Sequence, residues 1–193
     1  MIYRSKAPLR IGLAGGGTDV SPYSDLYGGA ILNATISLYA HASLEPLQEN
    51  VIELQTLDLK QSQVFDCAPQ LPINGALDLL KGVYNRIQSQ YGFPVQGLRL
   101  STYVDAPAGS GLGTSSTLVV AIIGAFTEML RLPLGEYDMA QLAYDIEQLY
   151  IEGYSPKTIA MLLECPVSMV YDWMESEGVG ESEDLSPFET INS

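Results

Sequence analysis

Cations, histidine and cysteine are scarce in this chain of 193 residues. Nine lysines and arginines face 23 aspartates and glutamates, for a formal net charge of −14. A field that negative argues against general nucleic-acid binding, which calls for a basic face along a phosphate backbone. The imbalance is uneven: from Tyr150 onward, Lys157 is the lone cation against nine carboxylates. His41 is the single histidine; set in a strand pattern, it reads as packed or surface-exposed rather than catalytic. Cys67 and Cys165 lie far apart and neither belongs to a C-x-x-C pair, which excludes a disulfide or zinc framework and fits reduced thiols. The start, M-I-Y-R-S-K-A-P, lacks the apolar core of a signal peptide. The best apolar run, Leu118 to Phe126, is too short to span a bilayer. The expectation is a soluble, cytoplasmic protein with no membrane partner. At 47% hydrophobic residues, it can build one sizeable core, or a domain with a small appendage.

The most informative stretch runs from Val104 to Arg131. It follows an alternating segment, with Leu98, Leu100, Thr102 and Val104 on one side, which reads as a strand with one buried face. Three glycines come next at every second position: Gly109, Gly111 and Gly113. Thr114, Ser115, Ser116 and Thr117 then lead into a proline-free apolar run that reads as a buried helix. Glycines let a backbone approach an anion and adopt positive φ. The N–H groups and dipole of a helix start attract negative charge, and hydroxyls suit phosphate oxygens or magnesium. Neither the G-K-[ST] of a Walker motif nor the G-x-G-x-x-G spacing of a dinucleotide loop is present. The same residues could also form a plain strand-to-helix connector.

Pro8 to Leu13 reads as a short strand ending in A-G-G-G-T-D, a tight loop where backbone could meet a ligand. In isolation, Asp19 would be a turn or helix-cap aspartate and Arg10 a surface cation. Gly28 to Leu44 and Val51 to Leu57 are strand candidates joined by the hairpin-like E-P-L-Q-E-N. Asn74 to Tyr91 and Asp138 to Glu152 have the apolar spacing of amphipathic helices, and Gln96 to Val104 is the strand feeding the glycine loop. Strand pairs mixed with packing helices predict an α+β fold.

Two segments carry a resemblance. P-A-G-S-G-L-G-T-S-S-T resembles the second motif of the GHMP kinases, and A-P-L-R-I-G-L-A-G-G-G-T-D-V resembles their first, in the form used by the heptose 7-phosphate branch. The likeness extends from about Ile2 to about Glu147. It implies a ribosomal S5 domain 2-like amino-terminal domain over residues 1–149, binding ATP and Mg2+ and acting on a small sugar phosphate. Pro107, Gly109, Ser110, Gly111, Leu112, Gly113, Thr114, Ser115 and Ser116 would hold the ATP phosphates, with Ser115 on the metal. Gly16, Gly17, Thr18 and Asp19 would hold the sugar. Asp19 would position the attacking hydroxyl and Arg10 would offset developing charge, the two catalytic candidates.

Beyond that point the family's next motif, roughly G-G-x-x-D-Q, is missing. The expectation is therefore a truncated kinase domain with an incomplete active site, which a partner chain could complete; a homo-oligomer is left open. Residues 138–177 read as a helix-turn-helix-like unit sharing the 138–152 helix. Its last helix, Ser168 to Ser176, carries Asp172 and Glu175 but no cation, which argues against DNA contact. Residues 178–193 read as an acidic disordered tail. The alternatives are a non-enzymatic regulatory or protein-interaction protein carrying a kinase-like fragment, or a chimera without function.

Overall fold

The computed structural model describes residues 1–19 and 23–153, with residues 147–153 described by their helix alone. In chain order the elements are β1 (Tyr3–Ala14), α1 (Tyr23–Tyr27), β2 (Leu32–Pro46), β3 (Val51–Thr56), β4 (Gln61–Asp66), α2 (Asp78–Tyr91), β5 (Leu98–Val104), α3 (Thr114–Leu130) and α4 (Glu136–Gly153). The expected α+β class is what the described residues form. The helix-turn-helix-like segment from residue 154 and the acidic tail lie outside them.

The strands make one sheet in the order β1-β2-β5-β3-β4. Neighbours are antiparallel except β3 and β5, which run parallel. The hairpin expected between β2 and β3 does not form, because β5 lies between them. Leu100 pairs with Leu44 on one side and Leu54 on the other, and all three side chains are fully buried. Inserting β5 gives its alternating apolar row a partner on both edges, and parallel neighbours need the long crossover that β4 and α2 supply. β4, an edge strand with Val64 exposed, and the short α1 carry no apolar pattern that would have announced them.

Leu98, Leu100, Thr102 and Val104 all point inward, as their alternation requires. Along β2 the inward row holds for Ala40, Ala42 and Leu44 but fails at Leu38, which is exposed. Leu38 falls inside a register shift: Pro8 pairs with Tyr39, but Arg10 pairs with Thr35, a bulge that leaves the residues between without regular partners. Ile36 beyond it again packs against the core.

α3 packs on β1 and β2 with one face and against α2 and α4 with the other. This explains why its sequence is apolar all round: Val119, Ala121, Ile122, Ile123, Ala125 and Phe126 have no exposed surface. Leu80, Val83, Tyr84 and Ile87 of α2, and Leu142, Ala143 and Ile146 of α4, complete the core. Among the described residues no helix is long and apolar enough to cross a membrane.

Tyr84 is a buried phenol whose hydroxyl donates to Ala68 O at 2.8 Å and whose ring meets Phe93 edge-on. Burial, and then the nearby Cys67 thiol, push its pKa from 10.0 up to about 12. A raised folded-state pKa means that the neutral phenol's contribution is intact below the unfolded value and is lost as pH climbs through the folded one. The denaturant midpoint is therefore expected to fall as pH rises from 10.0 towards about 12. Tyr84→Phe should flatten that fall; an unchanged slope would place the titration elsewhere.

Candidate functional site

Two close approaches fix α3 along β1. A Cβ on Gly124 would lie 2.4 Å from Ser5 Oγ, and one on Gly113 would lie 3.2 Å from Arg10 Nε. Gly113 to Gly124 is a helical span of about 16 Å at ~1.5 Å per residue. Ser5 to Arg10 is a strand of nearly the same length at ~3.3 Å per residue. The helix thus runs antiparallel to the strand, in register, and its N-terminus is carried to Arg10. A further bond seals the contact: the Arg10 N–H donates to Leu112 O at 3.2 Å.

The loop into α3 has the backbone that its glycines foretell. Gly109, Gly111 and Gly113 have φ of 76°, 69° and 69°, while Ser110 and Leu112 between them do not have positive φ. Alternation of this kind curls a main chain into the concavity that holds anions. α3 begins without a side-chain cap on its first turn. Thr114 and Thr117 are buried, and the Thr117 hydroxyl donates back to Gly113 O at 2.7 Å. Ser115 and Ser116 are half-buried. Ser110 Oγ is buried and has no hydrogen-bond partner among the described residues. Pro107 and Gly109 are exposed on the loop's rim.

The first motif closes on itself at the end of the β1–β2 hairpin. A Cβ on Gly15 would lie 1.9 Å from Ala30 O, so only glycine permits the two arms to approach this closely. The Thr18 hydroxyl donates to Gly15 O at 2.7 Å and accepts from the Ala30 N–H at 3.1 Å. That side chain holds the loop together, which leaves Gly16, Gly17 and Asp19 as its exposed face. The guanidinium of Arg10 is exposed and donates to Asn33 Oδ1 at 3.3 Å. The structure therefore joins the two motifs through Arg10; Asp19 lies in the loop that follows β1, where a Cβ on Gly29 would meet its Cα at 2.9 Å. Neither the Arg10–Leu112 bond nor the Asn33 contact has any local sequence signal.

Among the described residues no group of three or more histidine, cysteine, aspartate or glutamate side chains is placed to hold a metal ion. Magnesium retains several waters and takes few protein ligands when it accompanies a polyphosphate. The half-buried hydroxyls of Ser115 and Ser116 in the first turn of α3 are hard-oxygen donors that fit such an ion and its phosphates.

A mixed sheet backed by helices, with a glycine-rich loop opening the central helix, defines the class: an α+β domain. Residues 78–156 match the family described as GHMP kinases N terminal domain. The chain is 48% identical over 145 residues to the D-glycero-alpha-D-manno-heptose 7-phosphate kinase of Campylobacter jejuni, covering 75% of this chain and 43% of that one. It is similar at 55% identity, with a TM-score of 0.73, to the crystal structure of a D-glycero-D-manno-heptose 1-phosphate kinase from Bacteroides thetaiotaomicron, covering 77% of this chain and 48% of the other. A galactokinase of Thermococcus kodakarensis is 30% identical over 148 residues, covering 77% of this chain and 40% of that one. The chain thus spans less than half the length of each. The match to the GHMP kinase N-terminal domain over residues 78–156 and the likeness to sugar kinases over three quarters of the chain support the resemblance read from the two motifs.

Proposed function

We propose that this domain binds ATP at the mouth of α3 and serves an ATP-dependent sugar kinase that phosphorylates a hydroxyl of a heptose phosphate. The observation that carries the reading is the meeting of Arg10 with the positive-φ glycine loop that opens α3, through its side chain at Gly113 and its N–H to Leu112 O. The likeness to two heptose phosphate kinases supports the sugar class.

Bound ATP supplies the transferable γ-phosphoryl group, and magnesium neutralises part of its charge. The chain's own residues do the positioning, which is most of what phosphoryl transfer asks of a protein. The loop from Pro107 through Gly109, Ser110, Gly111, Leu112 and Gly113 wraps the phosphates, with Ser110 Oγ donating to an oxygen. Thr114, Ser115 and Ser116 present hydroxyls at the positive end of the helix, Ser115 to the metal. Arg10 offsets charge on the group in transit. Gly16 and Gly17 let a sugar approach the main chain, Thr18 holds that loop closed, and Asp19 orients the attacking hydroxyl.

The test is a nucleotide titration with and without magnesium, followed by coupled ADP release with heptose 7-phosphate. Magnesium-dependent nucleotide binding is expected; its absence would retire the reading. Ser115→Ala should weaken binding of the magnesium complex by about tenfold, the order expected for one charge-assisted contact. Metal-free nucleotide should bind as before. Equal loss in both conditions would remove Ser115 from the metal.

A further inference from the structure

We infer that Asp105 is a positioning residue for the glycine-rich loop, acting through the backbone of Tyr39. Its effect on affinity rests on the nucleotide reading above; its effect on the loop does not.

The β2–β5 ladder has its last regular pair at Ala40 and Val104. One residue further on, the chain leaves the sheet to become the loop, and there Asp105 makes two reciprocal bonds. Its N–H donates to Tyr39 O at 2.9 Å, and its Oδ2 accepts from the Tyr39 N–H at 2.8 Å. A single side chain thus extends the ladder by one rung with a carboxylate in place of a carbonyl. The same oxygen lies 3.5 Å from His41 Nε2. The His41 ring is in turn flanked by those of Tyr39 and Tyr103, and Lys6 Nζ sits 4.3 Å over the Tyr39 ring.

Tyr39 is also where β1 and β2 change register, pairing with Pro8 just before Arg10 pairs with Thr35. The exit of the loop is held by Arg10, through its N–H to Leu112 O and its side chain against Gly113. The loop is therefore tied at its entry to β2 and at its exit to β1, on either side of one bulge. Asp105, Tyr39, Pro8, Arg10 and Leu112 form a closed circuit that sets the distance between the loop's two ends. Removing the carboxylate takes away one of the two bonds at the entry and leaves the Asp105 N–H to Tyr39 O, so the circuit is loosened there alone. An asparagine keeps an acceptor oxygen in place and should leave it closed.

Two measurements are made on wild type, Asp105→Ala and Asp105→Asn: amide hydrogen exchange over residues 108–113 without ligand, and titration with magnesium and ATP. Asp105→Ala should exchange at least ~fivefold faster in that segment alone, since local opening reports local stability. It should also bind about tenfold more weakly, from the loss of one charged hydrogen bond. Asp105→Asn should stay within about twofold of wild type in both measurements, because the acceptor is retained. Wild-type exchange rates in Asp105→Ala, or equal impairment of Asp105→Asn, would overturn the inference. Asp105→Glu, with its carboxylate displaced by one methylene, replaces Asp105→Ala should the latter not fold, and the same loop-confined change is expected. A wild type that binds no nucleotide, together with the expected exchange pattern, would sink the nucleotide reading and leave the positioning role standing.

Discussion

Gly113→Ala is expected to weaken nucleotide binding by about tenfold and Gly113→Val by about a hundredfold, whereas Gly109→Ala should cost only the ~1 kcal/mol of a non-glycine residue in left-handed backbone. The two glycines have nearly the same φ, 69° and 76°, so backbone strain alone would treat them alike. What separates them is the space around a Cβ. At Gly109 nothing lies within 4 Å, while at Gly113 the Cβ would meet Arg10 Nε at 3.2 Å and Cγ at 3.4 Å. Alanine there makes the Arg10 side chain give by a few tenths of an ångström at the helix mouth, where the proposed reaction needs its charge in place. Valine adds two methyls to a residue type that resists positive φ, so the first turn of α3 itself must shift. Equal loss of affinity in Gly109→Ala and Gly113→Ala, measured by titration, would show that Arg10 contributes nothing to the site.

The second large effect is on stability. Lys81→Ala should lower the unfolding free energy by about 3–5 kcal/mol, the range for breaking a buried ion pair from one side. Out of a typical total of ~5–15 kcal/mol, that is enough to unfold much of the protein at moderate temperature. Lys81 has no exposed surface. Its Nζ donates to Asp78 Oδ1 at 3.0 Å and to Asn74 Oδ1 at 2.5 Å, and it lies 5.5 Å from the centre of the Phe65 ring. The Asp78 carboxylate also accepts the N–H groups of Asn74 and Gly75, at 3.1 and 2.6 Å. One buried pair thus pins the turn into α2 and ties it to the end of β4. Truncating the lysine leaves a buried carboxylate with less compensation and a void where the stem packed. The double change Lys81→Met with Asp78→Asn should recover part of the loss, since it removes both charges. Urea unfolding of the wild type and the two variants decides it: a loss under ~1 kcal/mol for Lys81→Ala would mean that the pair behaves as a surface pair does.

Lys81 also shows where sequence reading stops. Asn74 to Tyr91 is recognisably a helix from its apolar spacing, and Leu80, Val83, Tyr84 and Ile87 lie inward as that spacing requires. Nothing in the pattern marks a lysine for the interior, because a lysine at a helix start is ordinarily solvated. Its burial follows from the arrival of the 66–77 segment over the helix end, with Phe65 and Asn74 brought by the chain before it. The helix itself starts at Asp78, four residues later than the spacing alone indicates.

The amino-acid order by itself determined the local features. Glycines placed at every second residue took positive φ, an all-apolar run became the central helix, and alternation told which face of β5 lies inward. These depend on backbone sterics and on the transfer of side chains from water, and both act over a few residues. Only the tertiary structure decided which strands are neighbours and which distant groups meet. It put β5 between β2 and β3, brought Arg10 against Gly113, and tied Asp105 to Tyr39. Those choices turn on pairing and packing between segments far apart in the chain, where the winner is the arrangement that buries the main apolar rows and pairs the inner strands at once.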